Sequence, residues 1–136
     1  MNLRHARYAD IEPILELWRE AGAAPTVTDD ASSIDRLIHR DRPAFFVAEE
    51  DGSVIGTIIA GYDGWRGHLY RMAVHPQYRR RGIARALVTE AEEHLHAIGC
   101  KRITALVLED EADAVGFWAA VGYEAQPEIG RFTKNV

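Results

Sequence analysis

The chain has 136 residues, with 47% hydrophobic and 27% charged positions, which is ordinary for one soluble domain with a single core. No apolar run approaches the roughly 20 residues of a membrane-spanning helix, and the start Met1-Asn2-Leu3-Arg4-His5 lacks the layout of a secretory signal. The net charge of −5 argues against a general nucleic-acid binder, and the lone Cys100 excludes an internal disulfide and suits a reducing cytosol, so a cytoplasmic setting is expected.

Residues 3–8 read as an opening strand. Ile11, Ile14, Leu15 and Trp18 then take the spacing of a helix with one buried face, with Asp10 as its N-cap and Pro13 in its first turn. Gly22 and Pro25 end it, and a shorter helix from about Ser33 to Arg40 stops at Pro43. Asp51-Gly52 separates the apolar runs Ala44–Ala48 and Val54–Ala60, a hairpin signal, because that turn needs positive φ. Gly61-Tyr62-Asp63-Gly64 makes another turn, and Leu69–Val74 a further strand ended by His75-Pro76. Ile83, Leu87, Val88, Ala91, Leu95 and Ile98 mark a long amphipathic helix capped by Gly99. The apolar run Ile103–Leu108 predicts a central buried strand. Ala114, Val115, Trp118 and Val121 line a last helix, and two short strands are expected between Tyr123 and Thr133. The order β-α-α-β-β-β-α-β-α-β-β makes 1–136 a single domain of mixed α/β (α+β) class.

Charge is unevenly spread. Between Asp63 and Glu90 there is no carboxylate, yet the span holds Arg66, Arg71, Arg79, Arg80, Arg81 and Arg85. Leu69–Arg85 thus reads as a strand, a short basic loop with one glycine, and a helix start. The first amides of a helix lack intrahelical partners and its dipole is positive there. Gly82 lets a ligand come close to the backbone, Ala84 is small, and the arginines supply directional donors, a combination that fits a pyrophosphate. Neither G-x-x-x-x-G-K-[ST] nor G-x-G-x-x-G is present, which excludes a P-loop and the dinucleotide fingerprint. His94 and His96 face different ways on one helix, and no histidine–cysteine set has zinc spacing, so no metal is expected.

Val74-His75-Pro76, then Arg79-x-x-Gly82-x-Ala84, then a helix ending in Gly99-Cys100, resembles the central motif of the GNAT N-acetyltransferase superfamily. The following strand and Phe117-Trp118-x-x-x-Gly122-Tyr123 resemble its next motif, so the likeness covers nearly the whole chain. Gly61–Gly67 and the Glu109-Asp110 pair resemble a group of small bacterial members with poorly defined substrates.

The resemblance implies acetyl-CoA as cosubstrate, a small-molecule or peptide amine as acceptor, and a homodimer as one assembly it leaves open. The backbone at Met72, Ala73 and Val74 would pair with the pantetheine arm and polarise the thioester carbonyl. The amides of Arg79, Arg80, Arg81, Gly82, Ile83, Ala84 and Arg85 would hold the pyrophosphate. Strand alternation turns Arg71 to the opposite face, as a surface charge.

An amine with a pKa near ~10.4 must lose a proton before it attacks. Many relatives supply a glutamate for this; here His68 stands at that fourth-strand position and Leu106 at the fifth-strand one. His68 is the candidate base, since histidine is the side chain suited to exchanging protons near neutral pH, and Tyr70 shares its strand face. Trp118 lines the cofactor site where relatives place an acidic tyrosine, and Glu111 replaces a common asparagine. A thiolate leaves tolerably without a matched acid, since a thiol pKa is near ~8.5. The missing tyrosine motivates a second reading, an acyl-CoA-binding sensor with little turnover. Asp29, Asp30, Asp35 and Glu109, Asp110, Glu111, Asp113 form two acidic groups, read as solvated surface in preference to an acceptor entrance.

Overall fold

A computed structural model describes residues 1–107 and 112–136. They group into two compact units, Met1–Thr104 and Ala105–Val136. In the first, β1 (Asn2–His5) leads through a 3₁₀ turn to α1 (Ile11–Glu20) and α2 (Ala31–Asp41). Then come β2 (Phe45–Glu50), β3 (Ser53–Tyr62), β4 (Gly67–Val74), α3 (Ile83–Ala97) and β5 (Ile103–Ala105), which carries the chain into the second unit. The strands lie in the order β1-β2-β3-β4-β5, and the pairs β1/β2, β2/β3 and β3/β4 are antiparallel. The mixed α/β class expected from the sequence is the one observed.

Local chemistry explains most boundaries. Asp51 and Gly52 both take positive φ (50° and 80°), so the tight turn between β2 and β3 forms as its composition requires. Asp30 caps α2, accepting from the Ser33 amide at 2.7 Å, which starts the helix two residues earlier than periodicity suggested. Asp10 precedes α1 but does not cap it with its side chain. Its carboxylate turns back to the Arg7 amide (2.7 Å) and closes the 3₁₀ turn instead.

Helices cover both faces of the sheet. Ile14, Leu17 and Trp18 of α1 and Ile34 and Ile38 of α2 pack with Phe45 and Val47. Leu87, Val88, Ala91 and Leu95 of α3 are buried on the other face. The absence of a side chain at Gly56 lets α3 settle close. A Cβ there would lie 3.0 Å from Leu87 Cδ1 and 3.3 Å from Ile83 Cγ2, so the start of α3 rests on β3. Cys100 is buried beside Gly67, as a small core residue, and its thiol donates to the Arg102 carbonyl at 3.2 Å.

The later part of the chain departs from expectation in two ways. β5 is a short, half-buried strand at the edge of the sheet, not a central buried one, and Leu106 beyond it is exposed. The two closing strands expected between Tyr123 and Thr133 are absent; that segment is turn and coil. Pro127 offers no N–H to a ladder, Ile129 and Phe132 remain exposed, and a strand pair without a sheet partner is marginal in water. In the second unit α4 (Ala112–Ala120) ends in a cap where Tyr123 N donates to Trp118 O (3.0 Å) and Gly122 N to Ala119 O (3.1 Å). Trp118 is buried there, with Phe117 and Tyr123 rings edge-on at 5.3 and 5.0 Å. Val115, expected on the apolar face, is exposed.

Candidate active site

The second half of β4, the turn after it and the first turn of α3 are continuous in space. Val74 is buried, Met72 and Ala73 are half-buried, and Arg79 to Gly82 are exposed. Pro76–Tyr78 forms a 3₁₀ turn held by His75, whose Nδ1 accepts from the Gln77 amide at 3.1 Å. That bond puts the ring proton on Nε2, which faces Glu20 at 2.6 Å.

Arg80 and Gly82 both adopt left-handed backbone, φ 64° and 79°. Gly82 is the N-cap of α3, and nothing stands within 4 Å of the point where its Cβ would be. Glycine is suited here by φ and by an open approach, since no neighbour crowds it. The Gly82 carbonyl already accepts the first helical bond, from the Ala86 amide at 3.0 Å. The amides of Ile83, Ala84 and Arg85 precede that bond, so they have no partner inside the helix. Together with the helix dipole they make a site for an anion.

The basic span divides by partner. Arg66 lies over the Trp65 ring (4.2 Å), Arg79 reaches the Ala21 carbonyl (3.3 Å), and Arg81 stands 3.7 Å from Glu50 and over Tyr78. Among the described residues Arg80 and Arg85 carry no ion pair, and both are exposed. Arg80 stands two residues before Gly82 and Arg85 in the first turn of α3, so both belong to the stretch that carries the open amides. A separate cavity of about 700 Å³ opens between α1 and the 3₁₀ turn, lined by Leu17, Glu20, His75 and Tyr78 among others. Its walls include neither Arg80, Gly82 nor the middle of β4.

The middle of β4 is irregular. Thr57 pairs with Ala73 and Ile59 with Tyr70, so the single residue Ile58 faces both Arg71 and Met72, a β-bulge. Arg71 has φ 49°, a left-handed conformation that costs a non-glycine residue on the order of 1–2 kcal/mol. Several contacts offset that cost. The Thr57 hydroxyl donates to the Arg71 carbonyl at 2.8 Å, and the Arg71 guanidinium forms a two-point ion pair with Asp29. It also bonds the Ala24 carbonyl at 3.1 Å and lies over Trp18 at 5.4 Å. The expectation of a surface charge turned away by alternation therefore fails at Arg71. The extra residue of the bulge breaks the period of two, and Asp29, read as solvated surface, is mostly buried against it.

Upstream of the bulge, His68 and Tyr70 share one face, as alternation requires, with rings stacked at 6.0 Å and 23°. His68 is half-buried and Tyr70 is 43% exposed, so both are open to a ligand on that face. The turn before them is built by Asp63, whose carboxylate accepts from the Trp65 and Arg66 amides, each at 2.8 Å. The Arg66 and Trp65 amides hold that carboxyl below its usual range, and its role as a turn former is the expected one. Trp118 belongs to the second unit. Leu108, Glu109, Asp110 and Glu111, including the expected end of the fifth strand and most of the second acidic group, fall outside the described residues.

The bulge, the Thr57–Trp18 contact behind it and the Arg71–Asp29 pair escape a reading of β4 alone. Their one sequence signal is an isolated threonine within the apolar stretch Val54–Ala60.

The fold is shared with solved N-acetyltransferases. An aminoglycoside antibiotic 6'-N-acetyltransferase from Acinetobacter haemolyticus superimposes with a TM-score of 0.79 at 20% identity, over 100% of this chain and 99% of that one. The PaiA N-acetyltransferase from Thermoplasma acidophilum, solved in complex with coenzyme A, gives 0.85 at 20% identity, over 92% and 90%. Sequence relatives are nearer. An acetyltransferase of Yersinia pestis (strain Pestoides F) is 36% identical over 129 residues, covering 95% of this chain and 92% of its own. The profile of the acetyltransferase (GNAT) family matches residues 11–123, and the chain belongs to that family.

Proposed function

We propose that this acetyltransferase holds acetyl-CoA along the second half of β4 and passes the acetyl group directly to a primary amine. The observation that carries the reading is the mouth of α3. Three amides without helical partners follow a left-handed Gly82, in a stretch with two arginines, Arg80 and Arg85, that carry no ion pair among the described residues. A diphosphate bound there runs its pantetheine arm beside Met72, Ala73 and Val74, whose backbone takes the place of a neighbouring strand. Likeness to proteins named as aminoglycoside acetyltransferases, one of them solved with a bisubstrate analogue of CoA and acetylneamine, supports an amine as the acceptor class. No helix among the described residues is long and apolar enough to cross a membrane, and the composition suits a cytosolic setting.

In this reading His68 takes a proton from the ammonium form of the acceptor, directly or through water. The amine lone pair attacks the thioester carbonyl carbon, and backbone donors at the bulge stabilise the oxyanion. The carbon–sulfur bond then breaks, and the thiolate departs without a dedicated acid. Tyr70, stacked on His68, shapes the acceptor side.

The test is thiol release from acetyl-CoA across a broad panel of amines, repeated for His68→Ala over pH. Expected is turnover with at least one amine, and for the variant a rate lowered roughly 10²-fold, the scale of general base catalysis, with a near-normal acetyl-CoA KM. An unchanged pH–rate profile removes His68 as the base. CoA binding with no turnover on any amine overturns the enzyme reading in favour of a sensor, the alternative that Trp118 at the tyrosine position motivates.

A further inference from the structure

Thr57 is the one uncharged polar residue among the buried positions of the described chain, with no exposed surface, in the otherwise apolar run Val54–Ala60 of β3. Valine would occupy the same volume, and burying a hydroxyl is unfavourable unless it is bonded. Here it is bonded on both sides. Thr57 Oγ1 accepts from Trp18 Nε1 at 2.9 Å and donates to the Arg71 carbonyl at 2.8 Å. The indole is itself immobilised, stacked on Phe45 at 6.5 Å with ring planes 3° apart. A rigid core residue therefore sets the direction in which the hydroxyl donates.

That direction matters because of what it meets. Arg71 is the left-handed residue of the β4 bulge, where the ladder with β3 slips by one residue. A carbonyl displaced from a ladder must find another donor. Thr57, paired across the sheet with Ala73, supplies it from the strand next door. The Arg71 guanidinium is anchored separately, on Asp29 and Ala24. The peptide linking Arg71 to Met72 is thus fixed from its carbonyl end, and Met72 begins the stretch of backbone that the proposed function sets beside the thioester.

We propose that Thr57, backed by Trp18, is a positioning residue for acetyl transfer: it locks the Arg71 carbonyl and thereby holds the bulge that aims the Met72–Val74 backbone at the thioester. The inference rests on the reading of β4 as the cofactor strand, and it makes a demand that reading does not. Pyrophosphate binding at α3 lies away from the bulge, so loss of the hydroxyl should harm the acyl group's environment and spare the rest of CoA.

The test compares Thr57→Val and Thr57→Ser with wild type. Affinities for CoA and for acetyl-CoA are measured by calorimetry, and thiol release from acetyl-CoA is measured with water alone as acceptor. A Trp18→Phe/Thr57→Val double variant, which also removes the stranded indole donor, serves if the single valine variant folds poorly. Expected for valine is about a tenfold slower release, equivalent to about 1.4 kcal/mol in barrier. CoA affinity should stay within about twofold and serine should restore most of the rate, the pattern of an interaction needed chiefly in the transition state. A valine variant, single or double, with wild-type release overturns the inference while leaving the cofactor site intact. Equal loss of CoA binding and release in both threonine variants makes the residue merely structural and also overturns it. Failure of the wild-type chain to bind CoA removes the proposed function and this inference together.

Discussion

Arg4 and Arg80 carry the same guanidinium, and their surroundings put it to opposite uses. Arg4 sits among carboxylates: two nitrogens bond Asp10 (2.7 and 2.9 Å), Nε bonds Glu49 (2.7 Å), and a further contact reaches the His5 carbonyl. Every lone pair it meets is already part of the fold. Arg80 stands on an exposed turn with no ion pair among the described residues, on a backbone bent into the left-handed region. The first arginine ties β1 to the turn before α1 and to β2; the second leaves its donors for something outside the chain. A cationic side chain becomes available for binding when the fold brings no counter-ion to it: between Asp63 and Glu90 the sequence supplies none, and Arg71 and Arg81 find theirs in Asp29 and Glu50 from distant parts of the chain.

The sharpest way to break that contrast is at Gly82. Gly82→Glu should weaken CoA binding at least about a hundredfold, because a carboxylate would stand where the amides and arginines wait for phosphate. No neighbour lies within 4 Å of the new Cβ, so the variant should fold, at a cost of about 1 kcal/mol for the positive φ. Calorimetric titration with CoA checks the first statement and thermal unfolding the second. Unchanged affinity would remove the loop from the site.

The next effect is on stability. Arg4→Met strands the buried Asp10 carboxylate and should cost about 2–3 kcal/mol, below the range for a fully buried pair because the Arg4 side chain is 18% exposed. A Tm lower by roughly 6–10 °C is expected. Burial works to raise the Asp10 pKa, but the hydrogen bonds from Arg4 and from the Arg7 amide outweigh it and hold the carboxyl below its usual value. Its contribution is therefore complete above the unfolded pKa near ~3.9 and is lost as pH falls through the lower folded value. Denaturant midpoints measured between neutral and strongly acid pH should show that loss in wild type and a shallower one in Asp10→Asn. Neither substitution should change CoA affinity at neutral pH.

The smallest effects separate the loop arginines from one another. Arg80→Ala and Arg85→Ala should each weaken CoA about five- to tenfold, the scale of a solvent-screened contact to phosphate, and less at high salt. Arg66→Ala, which removes only a contact with Trp65, should stay within about twofold. Equal effects at all three positions would mean that general positive charge, and no particular geometry, attracts the cofactor.

Local signals were legible in the sequence, and pairings across the sheet were not. Asp51-Gly52, Gly82 and the apolar periods of α1 and α3 act within a few residues of chain, and each formed the expected element, whereas Asp30, read only as surface charge, caps α2. The bulge at Arg71 depends on how β4 registers against β3, and its ion pair joins residues 42 positions apart. Alternation inside β4 carries no trace of either. The continuous apolar run from Ile103 suggested a buried central strand because hydrophobicity alone does not say whether another strand lies alongside. Between Tyr123 and Thr133 the alternation is too weak to outweigh Pro127, and the expected strands did not form.

The seclusion of Cys100 has a practical side. Its sulfur is shut between the end of α3 and the start of β4, with its hydrogen already given to the Arg102 carbonyl. A colorimetric reagent for sulfhydryls added to the native protein has no ready target on it. Colour that develops in the presence of acetyl-CoA therefore counts free coenzyme leaving the enzyme, and a slow drift without it counts molecules that have opened.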